Sequence, residues 1–173
     1  GVLFVDHFGM DGMIRAARIA RDAGVPVVAD LEADQHPRFA ELLGLIDHLI
    51  LSRDFAGGLT GASDPAGAAA KLWNADRQAV VVTCGSEGCW WAAAESAGQP
   101  VHQPAYRVEV VDTTGCGDVF HGAYASALAR RLPLPERLRF AAAAAALKAT
   151  QPGGQAGIPD RETVEGFLQH PSR

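Results

Sequence analysis

Residues 110–128, VVDTTGCGDVFHGAYASAL, set glycines and two aspartates between a β-like run and an alanine-rich helix. Gly115 and Gly117 fall where the predicted strand RVEVV ends and a predicted helix over residues 119–131 begins. Glycines at such a junction let backbone amides face outward. A helix N-terminus adds unpaired N–H groups and the positive end of its dipole, a combination that suits an anion and most simply a phosphate. Asp118 stands at the helix start, within reach of whatever those amides hold. An anion hole beside a carboxylate fits phosphoryl transfer, with amides stabilising the moving group and the carboxylate deprotonating the attacking hydroxyl. The same spacing also describes a plain helix-entry turn that Asp118 only caps. Both readings are open on spacing alone.

The elements that must position this junction follow an alternating order. VLFVD is a continuous apolar run suited to a strand buried on both faces. A helix follows over residues 11–23, with Met13, Ile14, Ala17 and Ala20 at helical spacing and Gly24 as its stop. VPVVAD reads as a strand, PRFAELLGLI as a helix and DHLILS as a strand. Residues 64–74 read as a helix that Asp64 caps with Pro65 at its first position. QAVVVTCG is the next strand. This order predicts an α/β, three-layer Rossmann-like fold with a mostly parallel sheet. After Gly85, GCWWAAA and VHQPAYRVEVV are β-like runs separated by turn-forming residues, which predicts an antiparallel hairpin. Helices return over residues 119–131 and 136–150, with a short one after Asp160. The alanine run 141–146 implies tight packing against the sheet.

Composition narrows the functional classes. The net charge of −5 and the scattered Lys and Arg residues offer no basic stripe for nucleic acid, so an anionic substrate needs local backbone electrostatics. Cys84, Cys89 and Cys116 lack metal-pair spacing and are odd in number, which points away from a disulfide framework or a zinc knuckle and toward a cytoplasmic setting. The six histidines are spread out, and His121, one turn past Asp118, is read as a packed side chain without a role. Trp90 and Trp91 are adjacent on a predicted strand and serve packing on its two faces. The chain opens directly on a strand without a preceding turn, so residues 1–173 are expected to be a single nucleotide-binding and catalytic-base portion from the C-terminal side of a longer polypeptide.

DTTGCGDVFHGAYA resembles the C-terminal signature of the PfkB (ribokinase-like) carbohydrate kinases. VVVTCGSEGCWW is similar to that family's strand and glycine turn beside the nucleotide, and AAAALKATQPGGQAGIP to its terminal helix, adenine-side loop and closing segment. The resemblance implies that Asp118 is the catalytic base and that the amides of Gly115, Cys116 and Gly117 form the anion hole. It implies ATP along Gly85 and Gly88 and against Ala146, Thr150, Gly153 and Gly154, with Mg²⁺ bridging its phosphates. Asp112 and Thr114 match positions that bind a monovalent cation in several members, with carbonyls of the QPGG loop completing the cage, so K⁺ is a candidate. The implied acceptor is a sugar, with a nucleoside as the alternative, and the full-length protein is a candidate homodimer. No membrane or nucleic-acid partner is implied.

Three departures qualify the resemblance. Cys116 replaces the usual alanine, at a position that works through its N–H. Ser52 and Phe55 stand where many members carry an Asn-x-x-Glu motif tied to magnesium, while ketohexokinase-like members have a Ser-x-Asp pattern here. The family's N-terminal half, with its sugar contacts and β-sheet lid, has no counterpart in these residues, so this portion alone is expected to be a weak or inactive kinase that still binds nucleotide. Two other classes compete: a non-catalytic nucleotide-binding module, and an α/β structural domain whose glycine turn has no ligand.

Overall fold

The computed structural model describes residues 1–170. It forms two compact units, residues 1–84 with 89–102, and residues 85–88 with 103–170.

The first unit carries nearly all of a sheet whose strands lie in the order β1 (Leu3–Val5), β2 (Val27–Asp30), β3 (His48–Ser52), β4 (Ala79–Thr83), β5 (Cys89–Ala93) and β6 (Val101–Gln103). β1 to β4 are mutually parallel, with Phe4 opposite Val28, Ala29 opposite Leu49 and Leu49 opposite Val80. β5 turns back antiparallel to β4, placing Trp91 opposite Val81. Strands so rich in Val, Leu and Ile belong inside a parallel sheet, because successive side chains on both faces need cover. Leu49, Ile50, Leu51, Val80, Val81 and Val82 are all fully buried.

Helices α1 (Met10–Asp22), α2 (Phe39–Gly44), α3 (Arg53–Thr60) and α4 (Pro65–Leu72) complete this unit. Ile14, Leu42, Ala56 and Ala68 from these helices join Leu49, Leu51, Val80 and Val82 in one apolar core. α1 stops where the sequence predicts: Gly24 takes φ 66°, and the Val25 N–H bonds the Ala20 carbonyl at 2.8 Å. Asp64 caps α4 through the Gly67 N–H at 2.8 Å, with Pro65 in the first turn.

Two elements differ from the sequence expectation. The 53–60 segment is helical although it carries Gly57 and Gly58, because Ser52 caps it through the Phe55 N–H at 3.3 Å and Gly61 ends it at φ 63°. Residues 107–111 are not a strand. Pro104 removes a donor just past β6, and the Val111 and Asp112 N–H groups both bond the Ala149 carbonyl, at 2.8 and 3.1 Å, instead of a neighbouring strand. The second run of the expected hairpin is thus shortened to β6, which lies hydrogen-bonded beside β5, while the other edge of β5 pairs antiparallel with β4.

The second unit is built on α5 (Cys116–Ala129), α6 (Leu134–Ala149) and α7 (Arg161–Gln169). Val119 and Ala127 of α5 pack with Phe140, Ala143 and Ala144 of α6 and Val164 of α7. The alanines of α6 permit this close approach of two helices, and they extend the helix at the lowest conformational cost. Asp160 caps α7 through the Thr163 N–H at 2.8 Å.

Candidate active site

The start of α5 is set by Gly115. It takes φ 75°, and a Cβ there would lie 2.9 Å from the Gly154 carbonyl oxygen, so only glycine fits both the backbone conformation and the approach of the neighbouring loop. The Cys116 N–H is engaged by the Thr113 carbonyl at 3.1 Å, and the Val119 N–H by the Gly115 carbonyl at 2.9 Å. Among the described residues, the N–H groups of Gly115, Gly117 and Asp118 have no acceptor. Of the three amides expected to face an anion, two are open, and that of Asp118 joins them.

Asp118 is exposed in the first turn of α5, and among the described residues its carboxylate has neither hydrogen-bond nor ion-pair partner. It does not cap the helix. Open amides at the positive end of a helix dipole can receive an anion, and the solvent-facing carboxylate beside them is free to accept a proton.

A strap over residues 111–114 holds this turn in place. Asp112 accepts from the Thr114 N–H at 2.9 Å and from the Gly153 N–H at 2.7 Å. The hydrogen bonds from Thr114 and from Gly153, aided by the ammonium of Lys148, hold the Asp112 carboxyl down to about 2. Lys148, in the last turn of α6, is fully buried and donates to the Asp112 carbonyl at 3.0 Å and to the Gln151 carbonyl at 3.5 Å. Sequence reasoning missed Lys148. Its signal was a single cation inside the otherwise apolar AAAAAALKAT run.

These contacts test the monovalent cation expected at Asp112 and Thr114. Each oxygen of the Asp112 carboxylate accepts one N–H, and the carbonyls of Asp112 and Gln151 face an ammonium that would repel a second cation. The donor set does not fit an added potassium ion. Nor do the described residues contain a group of three His, Cys, Asp or Glu able to hold a metal, so a magnesium ion here would depend on nucleotide phosphates for most of its ligands.

A cleft of about 490 Å³ opens beside α5, lined by Asp118, Gly122, Ser126, Ala144, Gln155 and Arg161 among others. Gly154 reaches the same cleft. The other positions expected to face a nucleotide have local work to do. Gly88, at φ 94°, would drive a Cβ to 2.1 Å from the Gln103 carbonyl oxygen, and its N–H bonds the Gly85 carbonyl at 3.0 Å. The Thr150 hydroxyl donates to the Leu147 carbonyl at 2.7 Å, Ala146 is half-buried, and Gly153 supplies its N–H to Asp112. His121 is buried, with Nδ1 2.8 Å from the Gly117 carbonyl; since a carbonyl only accepts, that nitrogen carries the proton. Cys116 is half-buried, its thiol raised by burial and directed at the Ala145 carbonyl. In the first unit, Ser52 spends its hydroxyl as a helix cap, and Phe55 packs edge-on against Phe39 at 6.2 Å in the core.

The sequence pattern of the family described as pfkB family carbohydrate kinase matches residues 1–161. A ribokinase of Haemophilus influenzae is 32% identical over 166 residues, a match that covers 93% of this chain and 53% of the relative. The structure of Arabidopsis thaliana ribokinase complexed with ribose and ATP superposes with a TM-score of 0.86 at 32% identity, covering 97% of this chain and 55% of that one. A ribokinase of Thermotoga maritima superposes with a TM-score of 0.83 at 28% identity, covering 98% and 57%. The chain thus spans about half the length of the curated relatives it matches. Among the described residues no helix is long and apolar enough to cross a membrane.

Proposed function

The chain belongs to the pfkB family of carbohydrate kinases, and from that premise we propose that it supplies the phosphate-donor side of an ATP-dependent kinase acting on a hydroxyl of a sugar. The observation that carries this reading is the exposed, unpartnered Asp118 carboxylate beside the acceptor-free N–H groups of Gly115, Gly117 and Asp118. In the proposed reaction the open amides hold the terminal phosphate of ATP, and Asp118 takes the proton of the attacking hydroxyl as the oxygen–phosphorus bond forms. The bridging oxygen leaves with ADP, in line with the attack. Mg²⁺, when bound with ATP, would supply charge neutralisation on the donor phosphates. The Cys116 side chain takes no part, since the thiol is held protonated by burial.

ATP is assigned to the turn at Gly85 and Gly88 and to the segment containing Ala146, Thr150, Gly153 and Gly154. Gly154 alone of these also lines the Asp118 cleft, which supports the loop as the part closest to the phosphates. Ribose is the first acceptor to test, because the Arabidopsis relative is solved with ribose and ATP. A nucleoside acceptor on the same donor machinery is the runner-up. A second reading is a nucleotide-binding module without catalysis. It is favoured by one observation: Ser52 and Phe55, which stand where many family members carry an Asn-x-x-Glu motif tied to magnesium, are a helix cap and a partly buried side chain packed against the core.

Thermal unfolding of the protein with increasing ADP or ATP, followed by a screen of ribose, other sugars and nucleosides for ADP release, tests these readings. A nucleotide-dependent rise of the midpoint with sugar-dependent ADP release supports the kinase. A rise without turnover on any acceptor supports the binding module, and no rise with either nucleotide contradicts both.

A further inference from the structure

Lys148 is the one buried lysine of the described residues, and its surroundings have the chemistry of a cation site. Lys148 lies in the last turn of α6, at the negative end of the helix dipole, which favours positive charge. The Asp112 and Gln151 carbonyl oxygens lie 3.0 and 3.5 Å from Lys148 Nζ. An ionised Asp112 carboxylate stands on the same strap. Burying an ammonium is costly unless oxygen acceptors replace its lost water, so its persistence here means these carbonyls are arranged for it.

The ammonium joins two segments that meet at the turn before α5. The Asp112 carbonyl it binds belongs to the strap leading to Gly115, and the Gln151 carbonyl belongs to the loop leading to Gly154. Those segments are joined again by the Gly153 N–H to Asp112 bond at 2.7 Å, and Gly115 and Gly154 approach so closely that no Cβ fits between them. A monovalent metal ion in this position would do the same work, but it would have to displace Lys148.

We propose that Lys148 is a tethered monovalent cation: its ammonium fixes the 112–117 turn against the 151–154 loop, keeping the open amides in place without potassium. Lys148 is a positioning residue, since it acts through the backbone of Asp112 and does not reach the phosphate amides itself. Its consequence for nucleotide affinity rests on the kinase reading above; its consequence for cation dependence does not.

The test compares thermal midpoints of the protein and of Lys148→Ala in potassium, ammonium and choline chloride at equal ionic strength. The parent midpoint is expected to be the same in all three salts. Lys148→Ala should lose stability in choline and recover part of it in potassium or ammonium, small cations able to enter the space the side chain vacates. ADP affinity should follow, about tenfold weaker for Lys148→Ala in choline and largely restored by potassium. Lys148→Met, which fills the space with an uncharged chain, should show no recovery. A parent midpoint that rises specifically in potassium overturns the proposal, as does a Lys148→Ala midpoint depressed equally in all salts. If Lys148→Ala does not fold, the parent salt comparison still decides. Salt responses as expected with no ADP binding by any variant would leave Lys148 as assigned and count against the nucleotide reading instead.

Discussion

The Gly153 N–H donates to the Asp112 carboxylate across 2.7 Å, joining residues 41 apart in sequence. This one bond ties the strap before α5 to the loop after α6, and with the Thr114 N–H at 2.9 Å it gives each oxygen of the ionised carboxylate a donor. The turn that carries Asp118 is thereby fixed from both sides.

A pH dependence follows from that pairing. The Asp112 carboxyl is held down to about 2 in the folded chain, from an ordinary value of 3.8. A depressed carboxyl contributes stability that is complete above the unfolded value and is lost as pH falls through the folded one. The loss attributable to Asp112 should therefore occur between about pH 4 and pH 2. The difference in thermal midpoint between the parent and Asp112→Asn should be constant near neutrality and shrink in that window. A difference unchanged down to pH 2 would refute the assignment.

Glycines 115 and 117 should respond in opposite ways. Gly115→Ala places a side chain at φ 75° and against the Gly154 carbonyl, and should destabilise by about 1–2 kcal/mol or more. Gly117 sits in open space inside a helical turn, so Gly117→Ala should be neutral or slightly stabilising. Denaturant midpoints of the two variants check the contrast, and equal losses would show that Gly115 is not specially constrained.

Cys116 should be chemically quiet. Burial raises its thiol above the ordinary value, so little thiolate exists at neutral pH. Cys116→Ala should leave ADP affinity within about threefold of the parent, because the position contributes backbone and the change in volume is small. Titration calorimetry gives the answer, and a loss of binding would assign the sulfur a role that its contacts do not suggest. Cys89, pushed up to about 12 by burial, should be inert for the same reason.

Local patterns made much of this fold legible. Gly24, Asp64 with Pro65, and Asp160 all work at the helix ends the sequence marks, because a cap depends on residues within one turn of it. The alternating order gave the parallel strands through the same short-range chemistry. What failed was what depends on distant partners. Residues 107–111 have a β-like composition, but their N–H groups at 111 and 112 bond Ala149, and no local signal announces that. Helix α3 was hidden by its two glycines, since its stability comes from the Ser52 cap and the core contacts of Ala56.

The candidate site divides in the same way. Gly115 and Asp118 were legible because six adjacent residues define the turn. Cys116, expected to offer its amide, instead closes the turn onto Thr113, a detail set by backbone angles. Lys148 was visible only as a lone cation in an apolar run, and its role was not: its partners are backbone carbonyls, which any sequence possesses, and one of them lies 36 residues away.

The central claim is that Asp118 is the base beside an anion-binding turn, and Asp118→Asn in the protein tests it most directly. With an acceptor identified, the account predicts ADP affinity close to the parent's and phosphoryl transfer lower by about 10²–10⁴-fold, as for a positioned general base. Turnover at the parent rate with affinity unchanged would contradict it.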